Sequence, residues 1–547
     1  MNISAIHPGS FAALLAGLPL LYVLVSTYAA STRGPVAVAW RAARWGSSAC
    51  LVLALVSLAL LVAIRPVVVA HAPVSIFGTV TPIVGLRLDP LSGIVMALVA
   101  FVGWVIVRYS QPYLAGEARQ RTYIAWLFAT LAAVSIVILT DHLLVLALAW
   151  TMTSVSLHHL LTFYADRPAA LIAAHKKFLC SRLAELCLFS AVILIGTSLG
   201  TLEIGPLLAR ATALETVPVN LQTATVLLAA TALLKCAQLP FHGWLIQVME
   251  APTPVSALLH AGVVNLGGFV LIRLAPLLST VPLAQAILVC FGTATAVLAA
   301  LVMTTRISVK VHLAWSTCAQ MGFMLMQCGL GAYDLALLHL VAHSLYKAHA
   351  FLAAGGAVRR SSIRQLASEG SPDSIGRTLS GAAIGAAMVV VAGWLWGIQP
   401  ARQPALWALA FIVSLALTPL VSASAAGKGT RWLPARIGMS FVIAFAYFGL
   451  HALFGRWAPS PGQPAMWLWI FVLGGFALLF VLQVAINSYP RGRLARTIYP
   501  WFYAGLFLDD HFSRTAFALW PLRRRRLGDS ADRPDGRSIT TTPSIAP

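Results

Sequence analysis

Charge is what this sequence has least of. Asp, Glu, Lys and Arg make up 10% of its 547 residues and only 16 of them are acidic, against roughly a quarter charged in an ordinary soluble domain. That shortage excludes a water-soluble globular chain. Cysteine is scarce as well. Cys50, Cys180, Cys187, Cys236, Cys290, Cys318 and Cys328 all lie in or beside apolar runs and none forms a C-x-x-C pair. No zinc or iron–sulfur framework follows from them, and they read as small apolar side chains at helix contacts. No G-x-S-x-G, H-E-x-x-H, Walker A or dinucleotide fingerprint is present, so neither a nucleophile–base pair nor a phosphate loop is offered. The chain is therefore not expected to be catalytic by itself or to hold a cofactor. Any redox or hydrolytic chemistry would belong to a partner. The first apolar run has no basic flank and is long enough to span, so no cleavable signal peptide is expected.

What fills the chain instead is apolar: 59% of residues, with mean hydropathy +0.85. A membrane helix needs roughly 20 apolar residues. Fifteen such runs occur, near 10–30, 46–64, 90–107, 122–139, 142–163, 178–199, 221–245, 254–272, 283–304, 311–330, 335–357, 379–397, 404–423, 437–455 and 466–487. The expected fold class is an all-α polytopic membrane protein with about 15 transmembrane helices. A polar loop at 358–378 separates the eleventh and twelfth runs. Residues 491–526 mix aromatics with Asp509, Asp510 and Arg514, which suits a cytoplasmic amphipathic segment lying in the interface. Residues 527–547 are polar and expected to be disordered.

The net charge of +21 raises the possibility of nucleic acid, and its placement removes it. Numbered from an N-terminus outside, the inside loops hold eighteen Lys and Arg, among them Lys176 and Lys177, and the outside loops hold six. Ten more follow the last run. This is the positive-inside bias. It predicts a bacterial inner-membrane protein with a periplasmic N-terminus and a cytoplasmic C-terminus.

Three basic residues then remain inside runs: Arg182, Lys235 and Lys347. A charge at the bilayer centre costs roughly 2.5–3.5 kcal/mol on insertion scales, which calls for a partner or a wet cavity. Glu185, three residues after Arg182, shares its helix face and either pairs with it or turns to Lys235 on a neighbouring helix. Pro240 stands inside the seventh run five residues after Lys235. Proline opens a helix, and a broken membrane helix is tolerated where it lines a cavity, so a break at Pro240 is expected. The eleventh run carries His339, His343 and Lys347 at i, i+4 and i+8, a stripe about 12 Å long at the helical rise. Three aligned titratable groups suit a proton relay better than three satisfied core residues; a metal held by His339 and His343 has no acidic or cysteine support. His260 is a single histidine in the eighth run. His158 and His159 are adjacent, so only one of them can face a path.

The segments Asp141-His-Leu-Leu-Val-Leu-Ala-Leu-Ala-Trp150, Lys235-Cys-Ala-Gln-Leu-Pro240 through His260, Lys310-Val-His-Leu-Ala-Trp-Ser-Thr317 and His339-Leu-Val-Ala-His343-Ser-Leu-Tyr-Lys347 resemble the antiporter-like subunits of respiratory complex I and Mrp antiporters. The resemblance implies two inverted five-helix repeats, each with a broken helix. On that pattern residues 1–120 are N-terminal transmembrane helices, 121–275 the first repeat, 276–425 a degenerate second repeat and 426–490 C-terminal transmembrane helices. It also implies that Lys235 is the lysine of the first broken helix, that Arg182 and Glu185 hold the sixth-helix positions, and that His260, His339, His343 and Lys347 form a central polar axis.

Two positions depart from the family. Thr151 stands where it has a glutamate, and Leu379 to Gly397 lacks the expected lysine. The sequence also ends without the family's long lateral helix. This edited pattern, with the closing segment Phe502-Tyr-Ala-Gly-Leu-Phe-Leu-Asp-Asp510, is similar to the DabB-type membrane subunits of inorganic-carbon accumulation complexes. That resemblance implies a cytoplasmic DabA-like zinc subunit as partner, with protons, or sodium in their place, driving its hydration of carbon dioxide to bicarbonate. The competing expectations are a proton-pumping subunit of a respiratory, hydrogenase or Mrp-type complex, and a non-transporting membrane scaffold.

Overall fold

The structure, a computed structural model, describes residues 8–31, 34–63, 67–76, 79–356, 374–400, 403–422, 432–457 and 464–519. Most of the expected 358–378 loop, and residues 520–547, lie outside the described residues.

Each of the fifteen apolar runs falls on helix. The chain begins with α1 (Pro8–Ser31) and α2 (Val36–Ala63), and after a hairpin continues through α3 (Pro90–Tyr113), α4 (Gln120–Leu139), α5 (Leu143–Leu161) and α6 (Pro168–Leu199). A short α7 (Ile204–Thr212) leads to α8 (Val219–Lys235) and its detached continuation α9 (Gly243–Gln247). Then come α10 (Thr253–Ala261), α11 (Leu266–Arg273), α12 (Ala275–Ser279), α13 (Pro282–Met303), α14 (Val309–Gly329) and α15 (Tyr333–Leu352). The last elements are α16 (Ile375–Leu395), α17 (Pro404–Ser422), α18 (Leu433–Phe454), α19 (Met466–Ser488), α20 (Arg493–Tyr503) and α21 (Leu508–Leu519).

Among the described residues eleven helices are long and apolar enough to cross a membrane, α10 and α11 counting together. The helices outside that set include those carrying the polar residues of interest. The break shortens α8, while Gln320 and Gln327 on α14 and His339, His343 and Lys347 on α15 dilute the apolar content.

Local signals account for the helix ends. Asp89 caps α3, accepting from Ser92 N while Ser92 Oγ accepts from Asp89 N, with Pro90 at the first helical position; this is a reciprocal capping box. Gly200 closes α6 with φ +64°, a left-handed end natural to glycine. Helices α13 and α14 meet at Gly292 and Gly322. A Cβ on either would lie 2.6 Å from the carbonyl oxygen of the other, the close backbone approach that small residues permit in membranes.

One element departs from an all-helical reading. Val67–Ile76 and Thr79–Leu88 form an antiparallel hairpin, β1 and β2, with Val67 opposite Leu88. It docks on the α4–α5 turn, where Asp141 N donates to Gly85 O at 2.9 Å.

The connections sort to two ends of the bundle. At the hairpin end, Arg87 and Arg273 meet Asp89, Arg210 donates to Leu199 O at 2.5 Å, and His451 meets Asp334. At the opposite end, Arg119 donates to Phe163 O at 3.0 Å and Lys310 to Thr253 Oγ1 at 3.1 Å. There the C-terminal helices α20 and α21 return, and Arg306 donates to Phe502 O at 3.1 Å. Loops with many cations thus gather at the tail end. Lys176 and Lys177 correct the loop assignment: both are buried inside α6.

Candidate functional site

The helix break lies where Pro240 predicts it. Helix α8 stops at Lys235, Ala237 adopts φ +52°, and helix resumes only at Gly243. Stopping α8 there exposes the end of the helix to side chains from α5 and α6. Lys235 Nζ donates to Ser154 Oγ at 2.7 Å and to Glu185 Oε1 at 3.1 Å, and stands 5.5 Å from the Trp150 ring centre. Glu185 resolves the two pairings open in the sequence by making both: its Oε2 takes Arg182 Nη2 at 2.7 Å. The partners differ in setting. Lys235 and Glu185 are buried, whereas the Arg182 side chain is 41% exposed and packs over Phe178. A buried ion pair needs such extra hydrogen bonds to offset its desolvation.

Lys177 was missed as a site residue. Its Nζ donates to Ser154 O at 2.5 Å, so Ser154 takes one lysine on its hydroxyl and another on its carbonyl. Ser154, Lys177, Cys180, Ser181 and Lys235 line a small cavity of about 20 Å³, room for one water. Thr151, at the family's glutamate position, turns its hydroxyl to Ala147 O at 3.0 Å within its own helix.

The second group lies on α15 and its neighbours. Lys347 is fully buried and donates to Ser316 Oγ at 2.7 Å and Leu313 O at 3.1 Å, both on α14. His343 and His339 follow with ring centres 5.9 Å apart, and His339 Nδ1 meets Gln327 Oε1 at 3.0 Å. Among the described residues both ring nitrogens of His343 and of His260, and Nε2 of His339, have no hydrogen-bond partner. His260 stacks on Phe351 with ring centres 4.4 Å apart. An open groove of about 390 Å³ adjoins this stripe, where Ser316, Gln320, Gln327, His339 and His343 share a mostly apolar lining with Phe323, Leu335, Leu338 and Ala342. Orphaned buried nitrogens beside such a groove are the setting in which water completes the hydrogen bonding.

The structure thus gathers the expected residues into two groups: Arg182, Glu185 and Lys235 in one, His260, His339, His343 and Lys347 in the other. Among the described residues no direct hydrogen bond or ion pair joins them. Asn265 and Ser344 stand near both, hydrogen-bonded to each other at 2.7 Å and lining a slot of about 30 Å³ that includes Val263, which also lines the Lys235 cavity.

At the tail end, α21 lays Asp509 against the break. Lys176 Nζ reaches both carboxylate oxygens, at 2.9 and 3.0 Å, and Gln247 Nε2 donates to Oδ2 at 2.8 Å. Phe512 packs edge-on to Phe241 and Phe517 stacks on His175. The expected interfacial segment is therefore two helices, the second of which is seated on the bundle. No local signal in the sequence could have found this contact, because the partners are 333 positions apart.

The transmembrane family of NADH:quinone oxidoreductases and Mrp antiporters matches residues 140–390, and the family of the complex I chain 5 N-terminus matches residues 75–124. The chain is 42% identical over 439 residues to the "Probable inorganic carbon transporter subunit DabB" of Hydrogenovibrio crunogenus, covering 79% of this chain and 83% of that one. It is 36% identical over 445 residues to the "Probable inorganic carbon transporter subunit DabB2" of Halothiobacillus neapolitanus, covering 80% of each. To the NADH-quinone oxidoreductase subunit L of Mycobacterium tuberculosis it is 32% identical, over 50% of this chain and 43% of that one. In fold it is similar to a chain of the Mrp complex from Dietzia sp. DQ12-45-1b, with TM-score 0.56 and 24% identity, over 96% of this chain and 57% of that chain. It is also similar to a chain of the archaeal membrane-bound sulfane sulfur reductase, with TM-score 0.56 and 17% identity, over 92% and 99%.

Proposed function

The chain belongs to the antiporter-like membrane-subunit family of complex I and Mrp antiporters, with DabB subunits among its relatives, and on that premise we propose that it is the proton-conducting, energy-coupling subunit of an inorganic-carbon accumulation complex. The observation that carries the reading is the Lys235 site. A lysine at the end of a broken helix is held by Glu185 and Ser154 beside a cavity the size of a water molecule. Ionisable groups inside a bilayer are costly and mark ion paths. An ammonium against a carboxylate can pass a proton inward, and the carboxylate left beside the neutral amine then favours the return of another.

Protons would move between the Lys235–Glu185 pair and the second group through the water-sized slots lined by Val263, Asn265 and Ser344. They would then follow Lys347, His343 and His339. His260, buried beside Phe351, would flank this axis. Arg182, at the bundle surface, would orient Glu185 rather than carry protons. The carbon chemistry would take place in a cytoplasmic, DabA-like zinc subunit, with proton passage setting the direction of carbon dioxide hydration. The orientation proposed is the cation-rich tail end toward the cytoplasm of a bacterial inner membrane.

The test is Lys235→Ala in cells that depend on this chain and its partner for energised bicarbonate uptake. Uptake should fall to the level of cells lacking the chain while the membrane complex still assembles. Uptake at the wild-type rate would overturn the assignment.

A further inference from the structure

The Lys235 site holds one carboxylate, Glu185, which is buried, so the proposed conduit needs a second acid that reaches water. The C-terminal segment supplies one. Asp509 and Lys176 form a two-oxygen ion pair in which the lysine side chain is 1% exposed and the aspartate 30% exposed. One partner is sealed in the bundle and the other reaches water. Such a pair is costly to bury, and surrounding residues support it. Gln247 takes one carboxylate oxygen, and Gly243, the first residue after the break, leaves the space the carboxylate occupies, since a Cβ there would overlap it. Two aromatic contacts, Phe241 with Phe512 and His175 with Phe517, hold α21 in place.

The pair leads inward. Lys177, the next residue, donates to Ser154 O, and Ser154 Oγ receives Lys235. Cys180, one turn further along α6, feels the charges of Lys176, Lys177 and Asp509 together and lines the water-sized cavity beside Lys235.

We propose that Asp509 is the proton port of the tail end, exchanging protons between water and the buried Lys176, from which Lys177, sharing Ser154 with Lys235, is the next group inward. The assignment rests on the proton-conducting reading above. In the step itself a hydronium proton bonds to an Asp509 carboxylate oxygen, leaving water, and Lys176 gives an N–H proton through water to the unprotonated amine of Lys177, so that Lys176 becomes a neutral amine and Lys177 an ammonium. The Asp509 O–H proton then passes to the Lys176 nitrogen, restoring carboxylate and ammonium. Nothing is oxidised or reduced. Lys176 faces the carboxylate from α6 and His242 feels its charge from the break; Asp510, His511 and Arg514 are its titratable and charged neighbours on α21.

The test measures proton flux in pyranine-loaded proteoliposomes containing the complex purified with the full-length chain, under an imposed potassium-diffusion potential. Seating of α21 is followed in parallel as protection of Arg514 from trypsin. Asp509→Asn keeps the shape and one acceptor oxygen for Lys176 and Gln247 but cannot hold an exchangeable acidic proton. It should lower flux at least tenfold with Arg514 still protected, and Asp509→Glu should recover flux to within about threefold of wild type. Wild-type flux in Asp509→Asn would overturn the port. So would a loss of flux accompanied by loss of protection and not repaired by Asp509→Glu, since that pattern marks a mechanical clamp. Lys235→Ala runs beside them. If it abolishes flux while Asp509→Asn does not, the port fails and the conduit stands. If it conducts as wild type, the conduit fails and the port with it.

Discussion

Asp89 shows how much a single carboxylate can organise. It caps α3, and it joins α11 to β2 by pairing with Arg273 and with Arg87 Nε at 3.0 Å. Arg87 in turn reaches Asp141 at 3.2 Å. Burial opposes ionisation of Asp89, but Arg273, the Ser92 backbone N–H and Arg87 outweigh it and hold the carboxyl well below the usual carboxylate range. A group with a depressed folded pKa stabilises fully above its unfolded pKa, and that contribution is lost as pH falls through the folded value. Asp89→Asn should therefore cost about 3 kcal/mol at pH 7, the low end for breaking a buried pair. Thermal unfolding in detergent should show a gap between variant and wild type that narrows below about pH 4. A gap that widens in acid would contradict the assignment. At the same scale Ser154 joins two lysines through one residue, and the sequence gives no sign of it: serine in a membrane helix is common, and only the positions of α6 and α8 make this one special.

Among elements, the broken helix was legible because proline is an unambiguous breaker and Lys235 beside it has no apolar excuse. The α15 stripe was legible because a period of four is visible within one helix. The hairpin was not, since Pro73, Pro82 and Gly85 interrupt its alternation and place it among loops. Lys176 and Lys177 were assigned to a loop for a related reason: they stand near Pro168 and His175, where α6 reads as polar, although it is 32 residues long and continues beneath α21. Pairing of α21 with the break is a tertiary fact that depends on the missing side chain of Gly243. Gly243→Val should expel the Asp509 carboxylate, and trypsin should then cleave at Arg514 about tenfold faster, the response expected when a seated helix opens more often. Unchanged cleavage would mean that α21 is held without the carboxylate.

At the scale of the whole molecule, the bundle is polar along one line and apolar around it. Two groups of ionisable side chains lie in it, and between them Asn265 and Ser344 hydrogen-bond beside a small, mostly apolar slot that shares Val263 with the Lys235 cavity. Beyond Arg377 in its first turn α16 carries no charged residue, and Thr151 on α5 is uncharged, so the ionisable side chains of the bundle gather on α6, α8 and α15 and at Asp509. The central claim is that these groups form one continuous proton path. Its most direct test replaces Lys347, which belongs to the second group and touches neither the Lys235 site nor the tail. With an imposed pH gradient across proteoliposomes holding the intact complex, Lys347→Met should reduce proton flux to the leak of protein-free vesicles. Flux at the wild-type rate would contradict a path that runs through both groups.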